Sequence, residues 1–275
     1  MTTRPFYWSV KREVWENRSV LVVPGCAALL FLLTFVIHLR NGLEIDPSRH
    51  YRQLCFLLSM ASLLTGLFYS LDALHGERRD KSILFWKSLP VSDRTSVLAK
   101  AFVPLILLPA VTLIACIATQ IIMLVLSAGT LLINGVPLGT LRELPLLSIW
   151  GEAAAGIAVL AVWQAPMQGW LLLVSGWARR AVLLWAVLLP LAACIFERLA
   201  FGTTYLAGQL LYRLTAGVLG DGLLHGQWSG LSPMERMIAL TPGQVAADPN
   251  LWLGLIPTAL LLAGAIASRR YRQPI

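Results

Sequence analysis

Charge is what this sequence has least of. Only 13% of its 275 residues are Asp, Glu, Lys or Arg, while 57% are hydrophobic. A soluble domain of this length carries about a quarter charged residues. The deficit is concentrated in stretches of roughly twenty residues, the length that crosses a hydrocarbon layer at 1.5 Å per residue. Lipid offers a backbone no hydrogen bonds, so such stretches form helices. Cysteine is also sparse. Cys26, Cys55, Cys116 and Cys194 all fall in apolar runs and never pair as CxxC, which predicts small packing residues rather than disulfides or metal ligands. Cys26 begins its apolar run instead of ending it, which argues against lipidation, and the run is too long for a signal-peptide core.

Several chemistries are missing. No G-x-x-x-x-G-K-[ST] occurs, so the chain does not bind nucleotide by that route, and no H-E-x-x-H or phosphate-metal carboxylate cluster occurs either. His38, His50, His75 and His225 are scattered through the chain and read as surface or interface residues. A proton- or sodium-driven carrier usually needs a series of buried acids, and none is present. A transporter without its own energy source must borrow one from another chain.

The uncharged runs number six: about Ser19–Leu39, Gln53–Leu74, Ala99–Ala128, Leu147–Trp177, Ala181–Phe196 and Leu251–Ser268. They predict an all-α integral membrane fold with six transmembrane helices in one polytopic domain, residues 1–275. Fifteen Lys and Arg fall on the side holding both termini and seven on the other. The positive-inside rule therefore places the N- and C-termini in the cytoplasm. A seventh span over Tyr205–Leu224 would bury Arg213 at a cost of about 2.5–3.5 kcal/mol and would reverse the C-terminal arginines. The net charge of +8 sits beside the spans, which suits membrane lipids and orientation and not nucleic acid.

Four features lie outside or between these runs. Residues 1–18 place Phe6, Tyr7, Val10 and Val14 at helical spacing beside Trp8, Trp15, Lys11, Arg12 and Arg18. That pattern suits an interfacial helix or a simple topological anchor. Residues 75–98 form a cytoplasmic loop dense in both signs of charge, yet with an apolar core from Ile83 to Trp86 that a solvated loop does not need. It has the composition of a docking helix for a soluble partner, and equally of a surface-lying amphipathic helix. Residues 197–250 are too long for a simple connection. Their stripe of Leu206, Leu210, Leu211, Leu214 and Val218 and the capping box Ser232-Pro233-Met234-Glu235 predict short outer helices. Inside the spans, Gln120, Glu152, Gln164 and Gln168 are candidates to line a pathway, or to act as hydrogen-bonding glue between helices. Pro166 marks a candidate kink.

The run Glu77-Arg78-Arg79-Asp80-Lys81-Ser82-Ile83, continuing through Ser88-Leu89-Pro90-Val91-Ser92 directly after the second span, resembles the coupling-helix region of ABC-2 type transporter permeases. The six-helix layout, the N-terminal interfacial helix and the helical outer loop between spans five and six are similar to the same family. The resemblance covers nearly the whole chain. It implies the permease subunit of an ATP-driven exporter in a bacterial inner membrane, paired with a second copy or a related permease. Two copies of a separate ABC ATPase subunit would bind MgATP, this chain holding no cofactor and no catalytic residue of its own. Glu77, Arg78, Asp80, Ser82, Ile83, Phe85 and Leu89 would form the ATPase-coupling contact. The chain departs from longer members in lacking a large outer domain between spans one and two, which argues against extraction of lipoproteins. Two other functions fit the residues: a sensor or assembly factor using the same ATPase dock, and a polytopic lipid-modifying enzyme. The enzyme would need polar catalytic residues clustered at one membrane depth.

Overall fold

The computed structural model describes residues 5–40, 47–80, 92–133, 145–214, 247 and 249–271, and among them every regular element is helical. Six helices are long and apolar enough to cross a membrane. In chain order, α1 spans Pro5–Glu16, α2 Ser19–Arg40, α3 Pro47–Asp72 and α4 His75–Arg79. Next come α5 (Asp93–Phe102), a π-helical turn (Val103–Leu107) and α6 (Leu108–Ile133), then α7 (Leu146–Trp177) and α8 (Val182–Phe201). The series closes with α9 (Tyr205–Leu214), α10 (Pro249–Leu253) and α11 (Leu255–Tyr271). The six candidate spans are α2, α3 continuing into α4, the α5–α6 run, α7, α8, and α10 with α11.

The helices begin and end for local reasons. Ser92 caps α5, its hydroxyl accepting from the Thr95 amide at 3.1 Å, and Asp93 places a negative charge in the first turn. Gly202 ends α8 in a left-handed conformation, φ +69°, the usual glycine stop. The π turn contains Pro104 and is followed by Pro109, neither of which has an N–H to donate. The helix passes this point by widening, with the Leu108 amide donating to the Val103 carbonyl.

Three contacts organise the bundle. The α7–α11 pair is the tightest: a Cβ added at Gly169 would lie 3.5 Å from the Thr258 carbonyl oxygen, and one at Gly264 would lie 3.2 Å from Leu173. Small residues let helices approach when lipid supplies no hydrophobic drive between them. The α2, α3 and α6 helices share a cluster of Phe35, Tyr51, Leu54, Leu58, Cys116 and Met123. Val20, Tyr69, Val103, Leu108 and Leu172 tie the π turn to α2, α3 and α7. By contrast α8 is peripheral, with Leu183, Leu184, Val187, Leu188, Leu191 and Ile195 all exposed. An apolar surface on this scale is tolerated in lipid and not in water.

One expectation is corrected. Cys55 of α3 and Cys116 of α6 form a disulfide, while Cys26 and Cys194 are free. The two cysteines are separated by 61 residues, and their pairing follows from the packing of α3 on α6, which the absence of a CxxC spacing does not reveal. The outer segment 197–250 is described only in part. Its first helix, α9, is ten residues long, about 15 Å, and packs on α7 and α8. Glu197 starts it: its carboxylate accepts from the Tyr205 and Leu206 amides, each at 2.8 Å, and from the Thr203 hydroxyl at 2.7 Å. The capping box at 232–235 lies outside the described residues.

Candidate functional site

The N-terminal helix α1, the short helix α4 and the C-terminal turn of α11 meet at one end of the bundle, the terminal end. There the structure assembles a buried ionic hub. Glu13 of α1 and Lys100 of α5 are almost fully enclosed, their side chains 1% and 2% exposed, and they pair at 2.9 Å. Lys100 also reaches Glu77 of α4 at 3.2 Å. Glu77 accepts from Arg269 of α11 at 2.6 Å and pairs with Arg12 of α1 at 3.1 Å. Arg12 returns to Glu13 at 2.6 Å, and Arg269 continues to Asp93 of α5 at 3.1 Å. The Tyr69 hydroxyl of α3 donates to the second Glu13 oxygen at 2.9 Å.

The charges balance: Arg12, Lys100 and Arg269 against Glu13, Glu77 and Asp93. Isolated charges in this position would be prohibitive, and ion pairing with hydrogen bonds is what makes them tolerable. For Arg12, burial alone would favour the neutral form, yet the Glu13 carboxylate and its hydrogen bond outweigh it and hold the guanidinium above its ordinary value. Glu16, at the hub's rim, is pushed up by burial against the lowering effect of Arg12.

The segment after the second span is pinned at a second point. The Leu74 and His75 amides both donate to the Ser175 hydroxyl of α7, at 3.1 and 2.9 Å. Arg78 donates to the Ser175 and Ala178 carbonyls at the end of α7, occupying acceptors that a helix C-terminus leaves open. Ser268 of α11 donates to the Gly176 carbonyl at 3.0 Å. Thus α4 is fastened through side chains to α1, α5, α7 and α11, and through the hub to α3.

Of the residues assigned to the coupling contact, Glu77 and Arg78 therefore turn into the bundle, and Asp80 is exposed beside Arg79. Ser82, Ile83, Phe85 and Leu89 lie outside the described residues. Glu13, Lys100, Arg269 and Tyr69 were missed in the sequence. The one available signal was that Glu13 and Glu77 are acids set within basic flanks.

The four intramembrane candidates separate into three places. Gln164 and Gln168 of α7 line a common notch with Ser59, Ser62 and Leu63 of α3, Pro104 of the π turn, and Pro109 and Thr112 of α6. Counting back along α7 from Trp177, Gln168 is about 14 Å and Gln164 about 20 Å from the terminal end, near the middle of a hydrocarbon layer of about 30 Å that begins at Trp177. Gln168 is buried and accepts from the Ser70 hydroxyl at 2.6 Å. Gln120 is elsewhere, its amide donating to the Tyr51 carbonyl at 3.3 Å and contacting the Cys55 and Cys116 sulfurs. Glu152 is exposed near the far end of α7 and is bonded to Ser148 at 3.2 Å.

Among the described residues no three His, Cys, Asp or Glu side chains gather in a way that could hold a metal ion. Compared with known proteins, the chain matches no family model and no curated relative.

Proposed function

We propose that this chain is the membrane-spanning permease subunit of an ATP-driven exporter whose ATPase is a separate protein. The observation that carries the reading is the anchoring of α4. A docking segment can drive a bundle only if it is mechanically continuous with the spans. The residues leading into the 80–91 stretch are bonded to α1 and to helices of spans three, four and six, and through Glu13 the same hub holds Tyr69 of span two. On this reading the terminal end faces the cytoplasm, consistent with the excess of Lys and Arg there. Asp80, Ser82, Ile83, Phe85 and Leu89 form the surface offered to the ATPase. Glu77 and Arg78 root that surface in the bundle and transmit its displacement. Two such permeases, identical or related, pair in the cell membrane of a bacterium with two ATPase subunits. Those subunits bind MgATP, and its hydrolysis moves cargo outward.

The reading is tested by affinity purification in mild detergent from cells that carry the neighbouring genes. The expected result is a P-loop ATPase that co-purifies with the chain and is lost on Phe85→Asp or Ile83→Asp, with membrane insertion unchanged. Retention of the ATPase by both variants removes the proposed dock. If no ATPase co-purifies, the reading as a whole falls.

A further inference from the structure

The notch between α3, the π turn and α7 is lined at mid-membrane depth by five polar side chains and no charged one: Ser59, Ser62, Thr112, Gln164 and Gln168. Two of them are satisfied within the protein: Ser59 donates to the Cys55 carbonyl at 2.7 Å and Thr112 to the Leu108 carbonyl at 2.8 Å. Gln168 is half satisfied, its carbonyl accepting from Ser70. The Gln168 NH2 group, the Ser62 hydroxyl and the Gln164 amide have no hydrogen-bond partner among the described residues. Unpaired polar groups in a hydrocarbon setting carry a desolvation penalty that a suitable guest relieves. We propose that this notch is a binding site for the uncharged, hydrogen-bonding head of an amphipathic molecule.

The class of guest follows from the lining. Ser62 and Gln164 together offer donors and an acceptor, which match a hydroxyl or an amide. A phosphate or ammonium group would enter with no countercharge, at a cost far above that of a neutral group. The hub charges do not supply one, because they are fully committed to each other at the terminal end. Size restricts the guest further. The notch holds about one water-sized group and is half open, so only the polar tip of a molecule enters while its apolar remainder stays outside. As a statement about cargo this rests on the permease reading. As a statement about binding it does not.

The test uses the full chain in nanodiscs and three probes with monounsaturated tails of matched length: monooleoylglycerol, oleyl phosphate and oleyl trimethylammonium. Saturable binding is followed by native mass spectrometry at matched probe concentrations. Monooleoylglycerol is expected to bind, and Gln164→Leu or Ser62→Ala to weaken it about five-fold each, the value of one neutral hydrogen bond. The charged probes are expected to bind no better to the native chain than to either variant. Ser62→Ala changes little volume and serves if Gln164→Leu fails to fold. The proposal is overturned if monooleoylglycerol binding ignores both substitutions, if no probe binds, or if a charged probe binds through Gln164. None of these outcomes alters co-purification of an ATPase, so failure of the notch and failure of the permease reading are separately visible.

Discussion

Lys100→Met tests the hub where it is most enclosed. Methionine keeps the length and apolar stem of lysine, so packing is little changed and the loss is the ammonium group. That group faces two carboxylates, Glu13 at 2.9 Å and Glu77 at 3.2 Å. Its removal leaves two cations against three anions in a site where Glu13 and Glu77 are 1% and 6% exposed. Removing one partner of a buried pair typically costs about 3–5 kcal/mol. Here Arg12 still touches both carboxylates, at 2.6 and 3.1 Å, which places the expectation near the lower limit, about 3 kcal/mol. At about 2–4 °C per kcal/mol for a chain of this size, the melting point should fall by roughly 6–12 °C. Tryptophan fluorescence in detergent at one fixed scan rate measures this and keeps irreversibility from distorting the comparison. Adding Glu77→Gln restores two cations against two anions. The double variant should then melt higher than the sum of the two single effects predicts, by an interaction of about 1–2 kcal/mol. The exposed Arg79–Asp80 pair is the control, with Asp80→Asn shifting melting by less than about 2 °C. A Lys100→Met melting point within about 2 °C of native, or strict additivity with Glu77→Gln, would refute the hub as a coupled unit.

Two further outcomes are expected. Alkylation of the denatured, unreduced chain should label only Cys26 and Cys194, and all four cysteines after reduction, as read by intact mass; four labels before reduction would contradict the Cys55–Cys116 bond. At Gly254 a Cβ would stand 2.5 Å from the Arg213 guanidinium, which lies over the Trp163 ring and donates to its carbonyl. The guanidinium ends a flexible side chain and can move aside, so Gly254→Ala should lower stability by about 1 kcal/mol or less, the value of its contact with Trp163, and cost measurably less in an Arg213→Ala background. Equal cost in both backgrounds would mean the crowding lies elsewhere.

The spans were legible because a bilayer imposes one rule on every residue it touches. An uncharged run from Ser19 to Leu39 has no alternative but a helix, and the helix found is Ser19–Arg40. The same rule applies to Leu147–Trp177, found as Leu146–Trp177. Span three hid more. Its apolar run gave no sign that the helix widens at Val103–Leu107, although Pro104 and Pro109 were in plain view. The hub was illegible because its information is pairwise and distant. Glu77 and Arg269 are separated by 192 residues, and in sequence Arg12, Lys100 and Arg269 are indistinguishable from arginines and lysines that merely orient a membrane protein. The contrast between Gln164 and Gln120 was also invisible: both are amides in apolar helices, and only packing decides which one lines the notch and which meets a disulfide.

The most direct test of the proposed function places a photo-reactive amino acid at position 85 in cells carrying the neighbouring genes. Whatever is captured on illumination is then identified by mass spectrometry. The account predicts a covalent adduct with a P-loop ATPase, and no such adduct from the same group placed at Ile133, which is 86% exposed at the other end of the bundle. Correctly inserted chain that yields only lipid adducts at position 85, or the same protein adducts at both positions, would contradict it.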